Sequence, residues 1–491
     1  MRDRFLIVGF DGLRVDMITP ALTPNLLRLS TQGVVFRQHH AVFPTATRVN
    51  VTSLVTGANS GTHGIVNNSI FEPGVSPTQP ADLGQYDVVE AADAYYQGTL
   101  FHTPSLGEIL AAHGDRMVAA SAGTTGSNRL MHHKVKSVGG IGFSAQGMAA
   151  SYPDHETATI FARFGTPPPA GTPDQARLAY MTDVCLDYLL PVHQPRVAIL
   201  WFSDPDKTYH SCGIGSPESH QAIRAADAQL GRIMEWLQHA PQRDEVNLLV
   251  ISDHGHITIR QQVSLQQALT DMGLPTGRGC FGPGNIAVVP WGAGSLHVRN
   301  HDAQRIEKII AWMQAQPWCG SLFTQAKNEV EGMFPGTFAR SLVCNEHPRA
   351  GDIVYVMRSD EDLDRHGIVG GCYDDSNLPI GGGTHGGLSQ HELRNLCVAY
   401  GPAFQGGLES HLPSGTIDLM PTILHHLGYA IPPTVDGRVL SEALATPSAP
   451  ACSAETRTYT TETPTPNGIY RQHVTVTQMG HTTYLERGWV D

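Results

Sequence analysis

The sequence predicts a doubly wound α/β fold: a mostly parallel central sheet with helices on both faces, joined by a smaller α+β insertion. Three observations carry this expectation. Apolar runs of about six residues, the pattern of strands buried on both faces of a parallel sheet, stand at 5–10, 116–121, 197–202, 246–251 and 395–400. Stretches of helical periodicity lie between them, an alternation that favours right-handed crossovers. The pattern then breaks between about 258 and 380, where short strand signals and Gly/Pro turns take over.

Taken in order, the first strand signal, 5–10, leads into a helix over Pro24–Thr31 with Thr23 as the expected N-cap, and a second helix is expected over Arg48–Thr56. Ser105–His113, Gln175–Leu190, 217–239 and Ile417–Leu427 also read as helices. In 217–239, Pro217 opens the helix, and Ile223, Ala226, Leu230, Ile233 and Leu237 fall on one face. The insertion, 258–380, shows strand signals at Asn285–Val289, Ser295–Val298 and Asp352–Met357 and a helix near 302–315. After it the main sheet resumes and runs to about 446. The segment 447–491 reads as a linker rich in Thr, Ser and Pro followed by a hairpin, Tyr470–Thr477 and Thr482–Glu486, turning at Met479-Gly480.

Bulk properties narrow the function classes. With 32 basic against 45 acidic residues the net charge is −13, which argues against a basic nucleic-acid-binding face. A phosphate-bearing substrate stays compatible, because bound divalent cations would reverse the local field. No apolar stretch reaches the length of a membrane span, about 18 residues, and the N-terminus runs straight into a strand without a secretory pattern. The eight cysteines are scattered, with no Cys-x-x-Cys, which predicts reduced thiols and a cytoplasmic protein. The expected partner is a small phosphorylated substrate, with no nucleic-acid polymer and no membrane.

Three of the apolar runs end at aspartates: Asp11, then Asp204 and Asp206, then Asp253 beside His254. Ligands of open α/β sheets bind beyond the carboxyl ends of the strands. Carboxylates and imidazoles gathered there from distant parts of the chain are the ingredients of a metal site. Asp206 is preferred over Asp204 because it follows Pro205 and stands four residues before His210.

Five runs carry a resemblance to a known family: FDGLR (10–14), FPTATRVNVTSLVTGANSGTHGIVNN (43–68), SDPDKTYHSCGIGSPES (203–219), SDHGH (252–256) and GGTHGGLSQHELRN (382–395), with TIDLMPTILHHLGY (416–429) closing the fold. In order and spacing they resemble the alkaline phosphatase superfamily, and within it the type I phosphodiesterase/nucleotide pyrophosphatase branch. The resemblance implies an alkaline phosphatase-like core over 1–257 and 381–446, with 258–380 at the active-site rim. It also implies a ligand set of Asp11, Thr47, Asp253 and His254 for one metal ion and Asp206, His210 and His385 for a second. Thr47 would be the nucleophile, and Asn68 would bind the phosphoryl oxygens. His63, in a second Gly-Thr-His-Gly, is expected to be structural, and Asp204 and His256 to lie beside the ligands without being ligands.

Physical chemistry agrees with these roles. Mixed carboxylate and imidazole donors suit zinc, and accept manganese or iron. Two metal ions about 4 Å apart can clamp the attacking and leaving oxygens of an in-line displacement. A threonine hydroxyl must be activated to act as a nucleophile, and helix N-terminal amides near Thr47 would favour a phosphoryl oxygen. The expectation is therefore a two-metal hydrolase of phosphodiester or pyrophosphate bonds, working through phospho-Thr47 with water activated at the second metal and net retention at phosphorus. Asn50, one helical turn after Thr47, is a further candidate for the substrate.

The family stretch has Phe-Pro where this chain has Arg48-Val49. Arg48 points to a more anionic substrate, since guanidinium matches phosphate or carboxylate bidentately. A phosphonate hydrolase, similar to phosphonoacetate hydrolases, or a phosphomonoesterase is thus the alternative. A non-catalytic relative is the more distant one. Sulfatases fit less well, because they need a cysteine or serine where Thr47 stands.

Overall fold

The computed structural model describes residues 3–240, 243–448 and 453–491. Its central sheet has eight strands, in spatial order Leu408–Gly415, Val34–His40, Cys397–Tyr400, Val246–Ile251, Arg4–Phe10, Val197–Phe202, Met117–Ser121 and Ile141–Ser144. Arg4–Phe10 pairs in parallel with both Val197–Phe202 and Val246–Ile251, so the three aspartate-ended strands are neighbours pointing the same way. Only Cys397–Tyr400 runs against the rest. The expected doubly wound, mostly parallel sheet is what the chain forms.

Period-two alternation explains the layers. From the first strand, Phe5 and Ile7 pack into one helical layer, with Val49, Leu54, Leu106 and Ile423. Leu6, Val8 and Phe10 pack into the opposite layer, with Leu26, Leu178, Ile223 and Leu230. The helix Pro217–His239 buries the face marked out by its periodicity, and its N-cap Ser216 accepts from the Ser219 amide. Thr23 makes no such side-chain cap for Pro24–Ser30. Its hydroxyl donates to Thr19 O, and the first amides of the helix donate instead to Asp227 on the long helix, Asn25 N at 3.0 Å and Leu26 N at 2.8 Å. A carboxylate from a neighbouring helix thus replaces the local cap, a contact that sequence proximity could not announce.

Residues 258–380 contribute most of two further sheets. One has six strands, Gly277–Arg278, Ile286–Val289, Ala293–Val298, Ile353–Met357, Cys319–Thr324 and Phe338–Ala339 in spatial order, backed by the helix Ala303–Met313. The other has four, Ser359–Leu363, Val369–Asp374, Ile257–Gln262 and Gly383–Thr384. At the C-terminus, Gly468–Met479 and Thr482–Val490 form the antiparallel pair expected as a hairpin, with Gly480 in the left-handed region at the turn. Ala454–Thr465 is a third strand of that sheet, where composition alone had suggested a linker. Its Thr-rich sequence suits a pleated, half-solvated surface. Among the described residues no helix is long and apolar enough to cross a membrane. Seven cysteines are free, and Cys452 lies outside the described residues.

Candidate active site

At the carboxyl ends of the three neighbouring strands the ligand candidates converge. Ligand-type atoms of Asp11, Asp253 and His254 lie within 4.8 Å of one another, as do those of Asp206, His254, His256 and His385. The two groups share His254, whose ring stacks on that of His385 with centroids 3.8 Å apart. His210 joins through Asp206, its Nε2 3.2 Å from Asp206 Oδ1.

Each carboxylate of the first group has one oxygen tied to the scaffold and one turned to the cluster. Asp11 Oδ2 accepts from Trp201 Nε1 at 3.0 Å, and Asp253 Oδ1 accepts from the Gly12 amide at 3.0 Å. Asp11 Oδ1 and Asp253 Oδ2 are buried without a hydrogen-bond partner among the described residues. Gly9 makes the Trp201 contact possible, because a Cβ there would stand 2.1 Å from the indole ring. One glycine in the first strand thus lets a core tryptophan reach a site carboxylate.

The histidines present themselves in a common way. Nδ1 of His254, His210 and His385 faces a backbone carbonyl, Gly255 O at 3.0 Å, Gly383 O at 2.8 Å and Thr45 O at 2.8 Å respectively. Donation to those carbonyls puts the proton on Nδ1 and leaves the Nε2 lone pair for the cluster, the usual arrangement of a metal-binding imidazole. His256 differs: its Nδ1 is buried without a partner, and its Nε2 stands 2.9 Å from Asp206 Oδ1. It is a donor that holds Asp206, and it enters the cluster more closely than the sequence implied. Asp204 is spent elsewhere, accepting from the Asp174 amide and from Thr208, and so is no ligand.

Burial, with repulsion from Asp253 and Asp206, holds Asp11 well above the ordinary carboxylate range. Burial also raises Asp253, and the negative charge of Asp206 adds to the effect. Burial opposes ionisation of Asp206 too, but His210 and His256 more than offset it and bring that group well below the usual range. Two buried acids, Asp11 and Asp253, facing a third that is half-buried, Asp206, call for cations. Two orphaned carboxylate oxygens and three Nε2 lone pairs are a donor set that fits divalent ions. The residues present fit the expected metals.

Thr47 is the first residue of the helix Thr47–Thr56, and its Oγ1 lies 3.1 Å from His254 Nε2. The Arg48 amide donates to Asn68 Oδ1 at 3.0 Å, which leaves Asn68 Nδ2 as a buried donor without a partner. That amide is therefore taken by the Asn68 side chain. Asn50 is corrected. Its Oδ1 accepts from Val42 N and its Nδ2 faces the carbonyls of Val42, Pro44 and Ala46, so it secures the loop before Thr47 and has nothing left for substrate. His63 links Ser53 Oγ and the Ile65 amide, a structural role. The Arg48 guanidinium lies over Gly84, where a Cβ would come within 2.1 Å of Nη2. Its Nε is buried without a hydrogen bond, and its charge acts on Asp11 and His210.

Comparison with known proteins settles the family. The model of type I phosphodiesterase / nucleotide pyrophosphatase matches residues 5–374. The chain belongs to this family. A venom phosphodiesterase of Naja atra is 29% identical over 253 residues, 51% of this chain and 26% of that protein. Human ectonucleotide pyrophosphatase/phosphodiesterase family member 7 is 24% identical over 410 residues, 83% of this chain and 76% of the relative. The chain thus spans about a quarter of the venom enzymes it matches. Among solved structures, human ectonucleotide pyrophosphatase/phosphodiesterase 5 superposes with a TM-score of 0.62 at 18% identity, over 90% of this chain and 100% of that one. The murine protein, solved as an inactive threonine-to-alanine form in complex with AMP, superposes with a TM-score of 0.60 at 20% identity, over 88% of this chain and 96% of that one. At these identities the superpositions establish the alkaline phosphatase-like fold.

Two residues of the site were not foreseen. Trp201 sat inside an apolar run and read as core; only its pairing beside Gly9 exposes the contact with Asp11. Trp291 comes from the insertion, its ring centroid 5.7 Å from His385 and 6.2 Å from His210. No local signal marks it.

Proposed function

We propose that this chain is a metal-dependent hydrolase of phosphodiester or pyrophosphate bonds in small phosphorylated substrates, acting through a phospho-Thr47 intermediate. The observation that carries this reading is Thr47 Oγ1, 3.1 Å from His254 Nε2, which itself lies 3.8 Å from Asp11 Oδ1 and 3.3 Å from Asp253 Oδ2, the two orphaned carboxylate oxygens. Asp11, Asp253, His254 and Thr47 would hold one divalent ion, and Asp206, His210 and His385 a second, with zinc the best match to the donors and manganese or iron compatible. Such ions, when bound, supply Lewis acidity: they lower the pKa of coordinated hydroxyls and water and neutralise charge on the departing oxygen.

The chain's own residues do the rest. Thr47 Oγ gives up its proton to solvent and attacks phosphorus; the Oγ–P bond forms as the bond to the leaving oxygen breaks, and a leaving alkoxide takes a proton from solvent. Asn68 Nδ2, oriented by the Arg48 amide on its other end, donates to a non-bridging oxygen as charge builds there. Water then displaces Thr47 in a second in-line step, and two inversions give net retention. The AMP in the murine relative's complex is in keeping with a nucleotide-sized substrate.

A second reading has its own support. Arg48, with its Nε unpartnered and its charge directed at the cluster, suits a doubly charged phosphomonoester or a phosphonate. A panel of bis-p-nitrophenyl phosphate, p-nitrophenyl phosphate, a nucleotide p-nitrophenyl ester and phosphonoacetate separates the two. Diester cleavage is expected to dominate, to stop with EDTA and return with zinc, and to fall by at least about 10³-fold in Thr47→Ala. Activity that survives both exhaustive chelation and Thr47→Ala would sink the mechanism.

A further inference from the structure

Trp291 has no place in the ligand set or in the motifs of the sequence, yet the insertion delivers it to the site with care. It stands in the turn between Ile286–Val289 and Ala293–Val298. That turn is seated against the loop carrying His385, since a Cβ on Gly292 would stand 2.1 Å from His385 O. It is also held by Asn67, whose Nδ2 donates to Ala293 O at 2.5 Å, next to Asn68. The indole plane stands steeply to the rings of His210 and His385, at interplanar angles of 77° and 66°. Its Nε1 is buried and donates to no acceptor among the described residues, whereas the other tryptophan of the site, Trp201, spends its N–H on Asp11. An indole N–H can only donate, so its partner must bring an acceptor.

We propose that Trp291 determines leaving-group specificity: its ring packs a planar, aromatic leaving group, and its N–H donates to an oxygen acceptor on that group. This rests on the phosphodiesterase reading above and adds the side of the substrate that is read. In-line displacement sets the leaving oxygen opposite Thr47 Oγ, and Trp291 adjoins His210 and His385 of the other candidate ligand set. Arg48-Val49 put no aromatic side chain directly after the nucleophile, so the insertion, not that helix, supplies the ring.

The test compares thymidine 5′-(p-nitrophenyl phosphate) with thymidine triphosphate, which share the retained nucleotide and differ in the leaving group. Trp291→Ala is expected to lower kcat/KM on the nitrophenyl ester about 10-fold, with less than about 3-fold change on the triphosphate. Trp291→Phe, which keeps a ring and loses the N–H, is expected to fall between. Zinc affinity, measured by chelator competition, is expected to stay at the unmutated value in both variants. Equal losses on the two substrates, or a loss of zinc in step with activity, overturn the proposal and leave the phosphodiesterase reading standing. An unmutated enzyme that cleaves neither substrate overturns both.

Discussion

The two halves of the site are built differently. Asp11, Asp253, His254 and Thr47 are all buried and hang on ends of core elements: two neighbouring strands and the first turn of a buried helix. Each carboxylate there is pinned by a donor near the carboxyl ends of the interior strands, Trp201 Nε1 for Asp11 and the Gly12 amide for Asp253. On the other half, Asp206 and His210 belong to a short helix, Asp206–Cys212, and are partly exposed, while His385 rides a loop after the insertion. His256 and Trp291 lean on that half from other segments. The lesson is a division of labour. The half with its candidate ligands fixed by the sheet carries Thr47, the proposed nucleophile, and the half assembled from a helix, a loop and the insertion carries Trp291, the proposed contact to the leaving group.

Metal retention tests this division most severely. Asp253→Asn is expected to cost at least about 100-fold in affinity at the nucleophile's half, above what loss of an outer partner costs, and His210→Asn to deplete only the other half. Metal content and calorimetric titration with zinc read both. If either change empties the whole cluster together, the halves are one unit. Arg48→Ala comes next: the preference for diester over monoester is expected to rise by about 10-fold as the guanidinium that suits a second anionic charge is lost. An unchanged ratio would remove Arg48 from substrate recognition.

His256→Ala should weaken zinc at the Asp206 half by about 10-fold while sparing the Asp253 half, because it removes only the donor that holds Asp206. The smallest effect on the site is expected from Glu486→Gln, in the C-terminal sheet. Burial works to raise the Glu486 pKa, but His40, with Thr477 and Arg394, brings it down to about 2 from an ordinary 4.5. A carboxyl depressed in the folded state adds stability above its unfolded pKa and loses it as pH falls from about 4.5 towards 2, a contribution on the order of 3 kcal/mol. Glu486→Gln should therefore lower stability at neutral pH and flatten the acid limb of urea midpoints, with the pH–rate profile unmoved. A shifted rate profile would tie the two halves to the C-terminal sheet.

Much of this molecule was legible locally. Buried parallel strands need apolar residues on both faces, so 197–202 and 246–251 could be read to the residue. Asp11, Asp206 and Asp253 follow because a strand end at a switch point is a fixed address in the chain, and His210 because i,i+4 spacing on a helix is a spatial statement. The Thr23 cap, the Asn50 role and the third C-terminal strand were misread for one reason. Each depends on a partner that secondary-structure pattern does not name: Asp227 for the helix, the 42–46 backbone for Asn50, and Gly468–Met479 for the strand.

The sequence by itself determined the sheet, the candidate ligand types and the order in which they arrive, because those rest on periodicity and on chemistry carried within short runs. Only the tertiary structure decided which oxygen of each carboxylate faces the cluster, which tautomer each histidine adopts, and that Trp201 and Trp291 belong to the site. Those properties are set by hydrogen bonds and ring contacts between segments distant in sequence, such as Trp201 to Asp11 and His385 to Thr45. The packing of one strand on the next creates such contacts, and no single run contains them.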